Sequence, residues 1–552
     1  MQFFKSRKFF IVLISVVAVA SIAAVGDAYF DLNKNLDLFS TLYKELNTNY
    51  VDDVDPDKLV GSGIDAMLES LDPYTNYITE DDLASYKFQT TGKYGGIGAQ
   101  VRDVGDYIII AEPYEGFPAQ KNGLQAGDFI IAIDGISCKG KSVDDISKIL
   151  KGPSGTVLKM TIRRPGVKEE FIKDVKREEV TIKSVAYSGM IKPDIGYVRF
   201  AQFTDNSAHD LIAAFDQLKA SHPGMKGFIL DLRGNPGGLL NEAVNVANIF
   251  VKKGAEIVST RGKKSEWDKV YKTLNAAIDE EIPLVVLTSR GSASASEIVA
   301  GTIQDLDRGV IVGQRTFGKG LVQTTRTLAY NCKVKITTAR YYTPSGRCIQ
   351  VLDYAHRNAD GSVGKIPDSL KHQFKTQGGR TVYDGGGIEP DIKTDAREFT
   401  SLELVLINKN YIVDFATQYH LDHPQIGDAA GFEISDADFE AFVNYLSDKT
   451  YDYKTESEKQ LELLKKMAEK ENYFGAIAKE YEQLKTQLQH DKKADLYKEK
   501  TAIKELLSGE IASRYYYQKG RFESGFKFDG DIQKAIAILN DKAAYEKLLQ
   551  AK

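Results

Sequence analysis

The sequence predicts a multidomain α/β protein in four parts: an N-terminal helical segment, a β-rich module, an α/β core and a helical C-terminal extension. Three observations predict it. From Tyr94 to about Arg164, short apolar runs are punctuated by glycine, the pattern of strands and turns. From about Lys176 to Lys393, strand and helix patterns alternate. Beyond about Thr400 the composition turns helical and charged, and the stretch from "TESEKQLELLKKMAEK" onward carries i,i+4 charge pairs. At 552 residues the chain exceeds one ordinary domain. The shifts in pattern place boundaries at 1–27 (leader or anchor), 28–85, 86–170, 171–398 and 399–552, with no fixed-period internal repeat.

Composition excludes several function classes. Hydrophobic residues at 42% and charged residues at 27% describe a globular chain, and a net charge of −5 offers no basic field for nucleic acid. Cys138, Cys332 and Cys348 form no CxxC, so zinc-ribbon and thioredoxin-type readings have no support. Cys332 and Cys348 could pair across a hairpin. No HExxH or comparable ligand cluster occurs, and no metal or cofactor is expected.

The elements follow in order. Lys5, Arg7 and Lys8 precede the uncharged run "FFIVLISVVAVASIAAVG". A basic flank, an apolar stretch of about 17 residues and small residues at its end mark a secretory signal or a membrane anchor. Ala24 and Gly26 offer a cleavage site before Asp27, so the segment is either removed or retained. Either way the remainder is expected outside the cytoplasmic membrane, in the periplasm or an equivalent extracytoplasmic space. Leu32 to Leu71 has helical periodicity, and "LDPYTNYITEDDLASYK" reads as a turn leading into a short helix. In the β-rich module, "DYIIIAEPY", "DFIIAIDG" and "TVLKMTIRR" are strands. "SVDDISKILKG" between them is one helix, with Ser142 as N-cap, Asp145 three residues on and Gly152 at its end. Arg163 or Arg164, at the module's end, is the expected link to the core. In the core, "KGFILDLRG" runs through "NPGG" into the helix "LLNEAVNVANIF". "PLVVLTSRG" leads in the same way into a helix beginning near Ser294. Loops at the carboxyl ends of neighbouring strands are where open α/β sheets hold their sites.

The second of those loops carries the chemistry. In "RGSASASEIVAG" three serines alternate with alanines at the mouth of a helix, where the helix N-terminus favours developing negative charge. A nucleophilic serine needs a proton acceptor. None of the seven histidines (His209, His222, His356, His372, His420, His423, His490) stands in a glycine-rich or otherwise site-like context. Lys319, between glycines in "FGKG", has the better claim, since burial lowers an amine's proton affinity and small neighbours let its backbone pack closely. Gln323 follows four residues on and could hydrogen-bond the amine.

Together these residues resemble the carboxyl-terminal processing peptidases, or tail-specific proteases, which combine a PDZ domain with a serine–lysine protease core. The resemblance covers roughly Leu38 to Lys393 and rests on "GSASASEI", "GQRTFGKGLVQ", "DLRGNPGG", "YYTPSGRCIQ" and "GGIEPD" in the family's order. In the family the serine and lysine stand 25 positions apart. Ser294 and Lys319 have that spacing, which selects Ser294 over Ser292 and Ser296. The resemblance implies Ser294 as nucleophile, Lys319 as base and Gln323 as the amide that orients the lysine. It also implies an oxyanion hole from the backbone of Ala295 and the glycines Gly237 and Gly238.

The β-rich module resembles a PDZ domain through "GIGA" and "NGLQAGDFIIAIDG". The resemblance implies that Gly96, Ile97, Gly98 and Ala99 hold a substrate's terminal carboxylate while the peptide adds as a strand. The expected partners are therefore proteins or peptides with free C-termini. The segment from Thr400 matches nothing in the resemblance. Docking onto the core, self-association and binding of an adaptor protein are the uses open to it.

Overall fold

A computed structural model describes residues 30–358, 360–488 and 492–550. The apolar run expected to direct export lies outside the described residues. Among the described residues no helix is long and apolar enough to cross a membrane. The described residues divide into two units, those up to 80 with 323–337, and those from 81 to 322 with 338 onward.

The first unit holds two helices, residues 30–49 and Pro56–Glu69, where the helical periodicity predicts them. Asp55 caps the second by accepting from the N–H groups of Asp57 and Lys58. The turn after it contains a strand the sequence did not announce. Asn76–Ile78 pairs antiparallel with residues 333–335, and Tyr77 O–H donates to Cys332 Sγ at 2.9 Å. Cys138, Cys332 and Cys348 are all free thiols, so the hairpin disulfide does not form.

In the second unit, the β-rich module is a six-stranded antiparallel sheet that runs from the edge strand Ala99–Val104 to Phe171–Lys176. Helix Val143–Leu150 lies against that edge strand, with the expected Ser142–Asp145 capping box. A further ladder joins Lys93–Gly96 to Glu178–Thr181, so the module closes beyond residue 170. Arg163 and Arg164 are internal to it rather than linkers. Arg163 lies over the rings of Tyr107 and Phe129, and Arg164 grips Asp128 with two nitrogens at 2.7 Å.

The core is a six-stranded sheet whose order in space follows the chain: β1 (Val185–Lys192), β2 (Ile195–Phe200), β3 (Gly227–Asp231), β4 (Leu284–Thr288), β5 (Val310–Gly313) and β6 (Ile392–Lys393). β1 is antiparallel to β2 and the others are parallel. β3 and β4 are buried along their whole length, as their unbroken apolar runs require of strands covered on both faces. Side chains alternate along a strand. Phe228 and Leu230 face helices α1 (Ser207–Ser221), α2 (Leu240–Asn248) and α3 (Ala295–Asp305), in the cluster that holds Phe215, Phe250 and Val299. Ile229, Val285, Leu287 and Val312 face the other way, and the C-terminal extension covers them.

That extension has two roles in the fold. Its helices Ser401–Asn408, Tyr411–Asp422, Asp436–Tyr445 and α4 (Lys500–Gly525) build a core of their own around Phe415, Phe439, Phe442 and Leu507. Helices α5 (Gly530–Asn540) and α6 (Lys542–Leu548) then supply the second layer of the sheet, through Ile532, Ala535, Ile536 and Tyr545. Tyr545 anchors that layer, because its hydroxyl accepts from Leu284 N–H at 2.9 Å and donates to Leu284 C=O at 3.1 Å. Of the uses left open for this segment, docking onto the core is the one the structure exhibits.

Candidate active site

β3 and β4 are adjacent and parallel, so the loops that leave their carboxyl ends lie side by side. The β3 loop is "RGNPGG" and the β4 loop is "SRGSASA". The three serines separate by environment. Ser292 and Ser296 are fully buried, and their hydroxyls donate to Leu232 C=O at 2.8 Å and Asn235 C=O at 2.9 Å. They fasten the two loops together. Ser294 alone is partly exposed. It sits at the strand-to-helix junction with φ 54° and ψ −112°, a conformation an L-residue holds only when its surroundings impose it.

Glu297, one turn into α3, supplies much of that imposition. Its carboxylate is fully buried and accepts four hydrogen bonds. These come from Ser294 N–H at 2.8 Å, Thr316 O–H at 2.6 Å, Gly318 N–H at 2.6 Å and Lys319 N–H at 2.9 Å. Burial pushes the carboxyl up to about 7, against the four donors, which favour the charged form. Glu297 has no role assigned to it by the sequence patterns above. The signal available was its position three residues after the N-cap serine, where a glutamate closes a capping box.

The turn that carries Lys319 is fixed from several sides. Gly318 has φ +86° and a Cβ there would lie 2.0 Å from Val351 Cγ2, so only glycine fits. Gln350 Oε1 accepts from Gly320 N–H at 2.7 Å, and Thr316 Oγ1 accepts from Ile388 N–H at 2.7 Å. The stretches "YYTPSGRCIQ" and "GGIEPD" are thus braces for the lysine turn. Gln323 stands on strand Leu321–Thr327, where its amide donates to Thr337 Oγ1 at 3.1 Å. His356 and His372 pair with Asp353 and Asp384 on exposed ground. Among the described residues no group of His, Cys, Asp and Glu is placed to hold a metal ion.

The predicted oxyanion donors divide. Gly237 differs from expectation, because its N–H is donated to Asn235 Oδ1 at 2.9 Å. What the site takes from Gly237 is its lack of a side chain. With φ +96°, a Cβ there would meet Ala293 O at 2.6 Å, Ala295 N at 2.8 Å and Ser294 Cβ at 2.9 Å. Gly238 differs in where its N–H is directed. The Gly237 carbonyl accepts from Phe203 N–H at 3.2 Å, so across the planar trans peptide the Gly238 N–H points the opposite way. Ser294 C=O accepts from Ile298 N–H at 2.9 Å, which leaves the Ala295 N–H directed off the start of α3. Asn235, which sequence reasoning also passed over, ties this loop with its side-chain amide to Phe200 C=O at 2.9 Å and its carbonyl to Ala293 N–H at 3.0 Å.

In the β-rich module, the carbonyls of Ile97 and Gly98 turn inward, accepting from Ala119 N–H at 2.7 Å and Tyr114 N–H at 2.9 Å. The N–H groups of Gly98 and Ala99 lie on the opposite sides of those peptide planes. Gly96 and Ile97 lead into this turn, Ile97 as a buried anchor and Gly96 as the last residue of the ladder to Glu178.

Comparison with known proteins brings three family descriptions onto these parts. "Peptidase family S41" matches residues 194–354, "PDZ domain" matches 109–164, and "Probable PDZ-protease, C-terminal helical domain" matches 402–539. A carboxy-terminal-processing protease of Bartonella bacilliformis is 39% identical over 62% of this chain and 76% of its own. A "Probable CtpA-like serine protease" of Staphylococcus haemolyticus is 32% identical over 82% of this chain and 86% of its own. The solved structure of a photosystem II D1 C-terminal processing protease is 30% identical, covers 65% of this chain and 92% of its own, and has a TM-score of 0.34.

Proposed function

The chain belongs to peptidase family S41, among the carboxy-terminal-processing proteases with a PDZ domain, and we propose that it is an exported serine endopeptidase working through Ser294 and Lys319. One observation carries the serine–lysine assignment. Ser294, in a strained junction, and Lys319, in a glycine-only turn, have their backbones tied to the same buried carboxylate.

In the proposed reaction, neutral Lys319 takes the proton from Ser294 Oγ as the oxygen attacks a peptide carbonyl. The carbonyl oxygen becomes an oxyanion held by the N–H groups of Ala295 and Gly238. Collapse breaks the C–N bond, and the departing amine takes the proton from Lys319. An acyl-enzyme on Ser294 remains. Water, deprotonated by the same lysine, hydrolyses it and frees the serine. Gln323, four residues after Lys319, keeps the lysine-orienting role that the family pattern gives it. The PDZ domain selects substrates by their C-termini, with the Gly98 and Ala99 amides as carboxylate donors and the edge strand Ala99–Val104 as the template for an added strand.

The test is direct. Purified protein is incubated with an unstructured polypeptide bearing a free C-terminus, and products are read by mass spectrometry. Wild type is expected to cleave and Ser294→Ala to be inert but folded. Equal activity in the two proteins overturns the assignment. Export is tested separately by a reporter fused to the C-terminus, and a cytosolic reporter would refute it.

A further inference from the structure

Below the "RGNPGG" loop lies a buried charge cluster to which the core sheet and the C-terminal extension both contribute. Asp231, the last residue of β3, is fully buried. Burial alone would push its carboxyl up, but the guanidiniums of Arg233 and Arg199 overcome this and hold it well below the usual carboxylate range. Arg199 Nη1 lies 2.7 Å away, and Tyr197 O–H donates at 2.7 Å. Arg233 closes onto Asp231 through Nη2 at 2.7 Å, through Nε at 3.1 Å and through its own backbone N–H at 2.9 Å. The free edge of the same guanidinium reaches the extension. Its Nη1 donates to Asp529 Oδ1 and to Asp531 Oδ2, each at 2.9 Å. Asp529 is the N-cap of α5, and Asp531 is itself held by Thr394 and Gln314.

Arg233 opens the loop that forms one wall of the site. The next residue, Gly234, is held by Ser289 Oγ at 3.0 Å, Gly237 packs under Ser294, and Gly238 presents its N–H. A segment that only covered the sheet would need apolar contacts, which α5 and α6 already have. Directing a buried carboxylate, Asp531, and a half-buried one, Asp529, at one arginine costs solvation free energy, and what it adds is a single geometry.

We propose that Asp529 and Asp531 are positioning residues for peptide hydrolysis. By holding Arg233 they fix residues 233–239 so that the Gly238 N–H meets the oxyanion, which makes the extension a working part of the catalytic centre. This inference rests on the serine–lysine reading above.

Asp529→Asn and Asp531→Asn, singly and together, are compared with wild type. Asparagine still caps a helix, so at position 529 the change falls on Arg233, and at 531 it also bears on the bonds from Thr394 and Gln314. Two readouts are taken. Amide hydrogen exchange over 231–240 is expected to quicken in the variants. Cleavage kinetics, measured well below the thermal midpoint, are expected to show kcat down about tenfold or more with KM within about twofold, since misplaced catalytic geometry acts on the transition state. Asp529→Glu is expected to recover part of the loss. Tyr545→Phe loosens the same docking without touching Arg233, and is expected to lower the thermal midpoint and leave kcat in place. Unchanged exchange in the double variant overturns the proposal whatever the activity. Faster exchange with unchanged kcat overturns its catalytic half. If wild type cleaves nothing and matches Ser294→Ala, the serine–lysine reading falls and takes the catalytic half with it. The exchange arm still decides the link from Asp529 and Asp531 to the loop.

Discussion

The backbone N–H groups of Ser294 and Lys319 meet at one oxygen of Glu297, at 2.8 and 2.9 Å. The proposed nucleophile and base, 25 positions apart in sequence, therefore have their backbones set by a single carboxylate one turn inside the helix between them. Glu297→Gln is expected to lower cleavage by about 10²-fold, because an amide cannot accept from all four donors. The folded pKa of about 7 lies above the ordinary 4.5, so the folded state keeps the proton longer than the unfolded chain. The stability this provides is complete below about 4.5 and is lost as pH rises toward 7. Urea midpoints at pH 4.5 and 7.5 check it. Wild type should lose stability across that interval relative to Glu297→Gln, and parallel behaviour would count against the account.

Ser292 and Ser296 should answer differently from Ser294. Their hydroxyls satisfy the buried carbonyls of Leu232 and Asn235, so alanine at either position is expected to cost about 1–3 kcal/mol of stability while cleavage survives. Thermal midpoints and rates for the two variants decide this. Loss of cleavage in a folded, stable Ser292→Ala would redirect the search for the nucleophile.

Lysine acts as a base only when neutral. Cleavage should therefore rise with pH, and Lys319→Arg should be inactive because guanidinium keeps its proton. Lys319→Ala should also fail, and chelators should change nothing. Inhibition by a chelator, restored by zinc, would sink the serine–lysine scheme.

Recognition of a free C-terminus predicts that amidating a long substrate slows its cleavage. Gly98 has φ +69°, and a Cβ there would stand 2.4 Å from Phe117 Cβ. Gly98→Glu should therefore distort the carboxylate turn as well as repel the ligand, and should slow long substrates more than short ones. Rates for free and amidated substrates, with intact enzyme and with the PDZ domain deleted, provide the measurement. Equal rates for both substrates in the intact enzyme would reject tail-directed selection.

Sequence patterns carried far where structure is local or repetitive. The buried runs "GFILD" and "LVVLT" read as strands, and the Ser142–Asp145 cap read as a helix start, because each depends on neighbours within a few residues. The spacing of Ser294 and Lys319 was legible through family likeness. Features made by distant partners were not. Strand Asn76–Ile78 exists through residues 333–335, Gly237 loses its donor role to the Asn235 side chain, and Arg163 and Arg164 turn back onto Tyr107, Phe129 and Asp128. The charge-paired helices of the extension gave no sign that α5 and α6 would finish the sheet. Ile532, Ala535 and Ile536 are apolar at helical spacing, and such a stripe does not say which surface it will meet.

Tyr545 reaches back 261 positions to Leu284, and that span has a consequence for how the protease is made. Until α5 and α6 emerge, Ile229, Val285 and Leu287 have no cover, and Arg233 lacks the two carboxylates of α5. A nascent chain halted before residue 530 would hold Ser294 and Lys319 with an unfinished sheet behind them, and contacts of such separation form late. Ser294 and Lys319 thus precede in the chain the layer that finishes the sheet behind them, so the site's support is among the last parts of the protein to be synthesised.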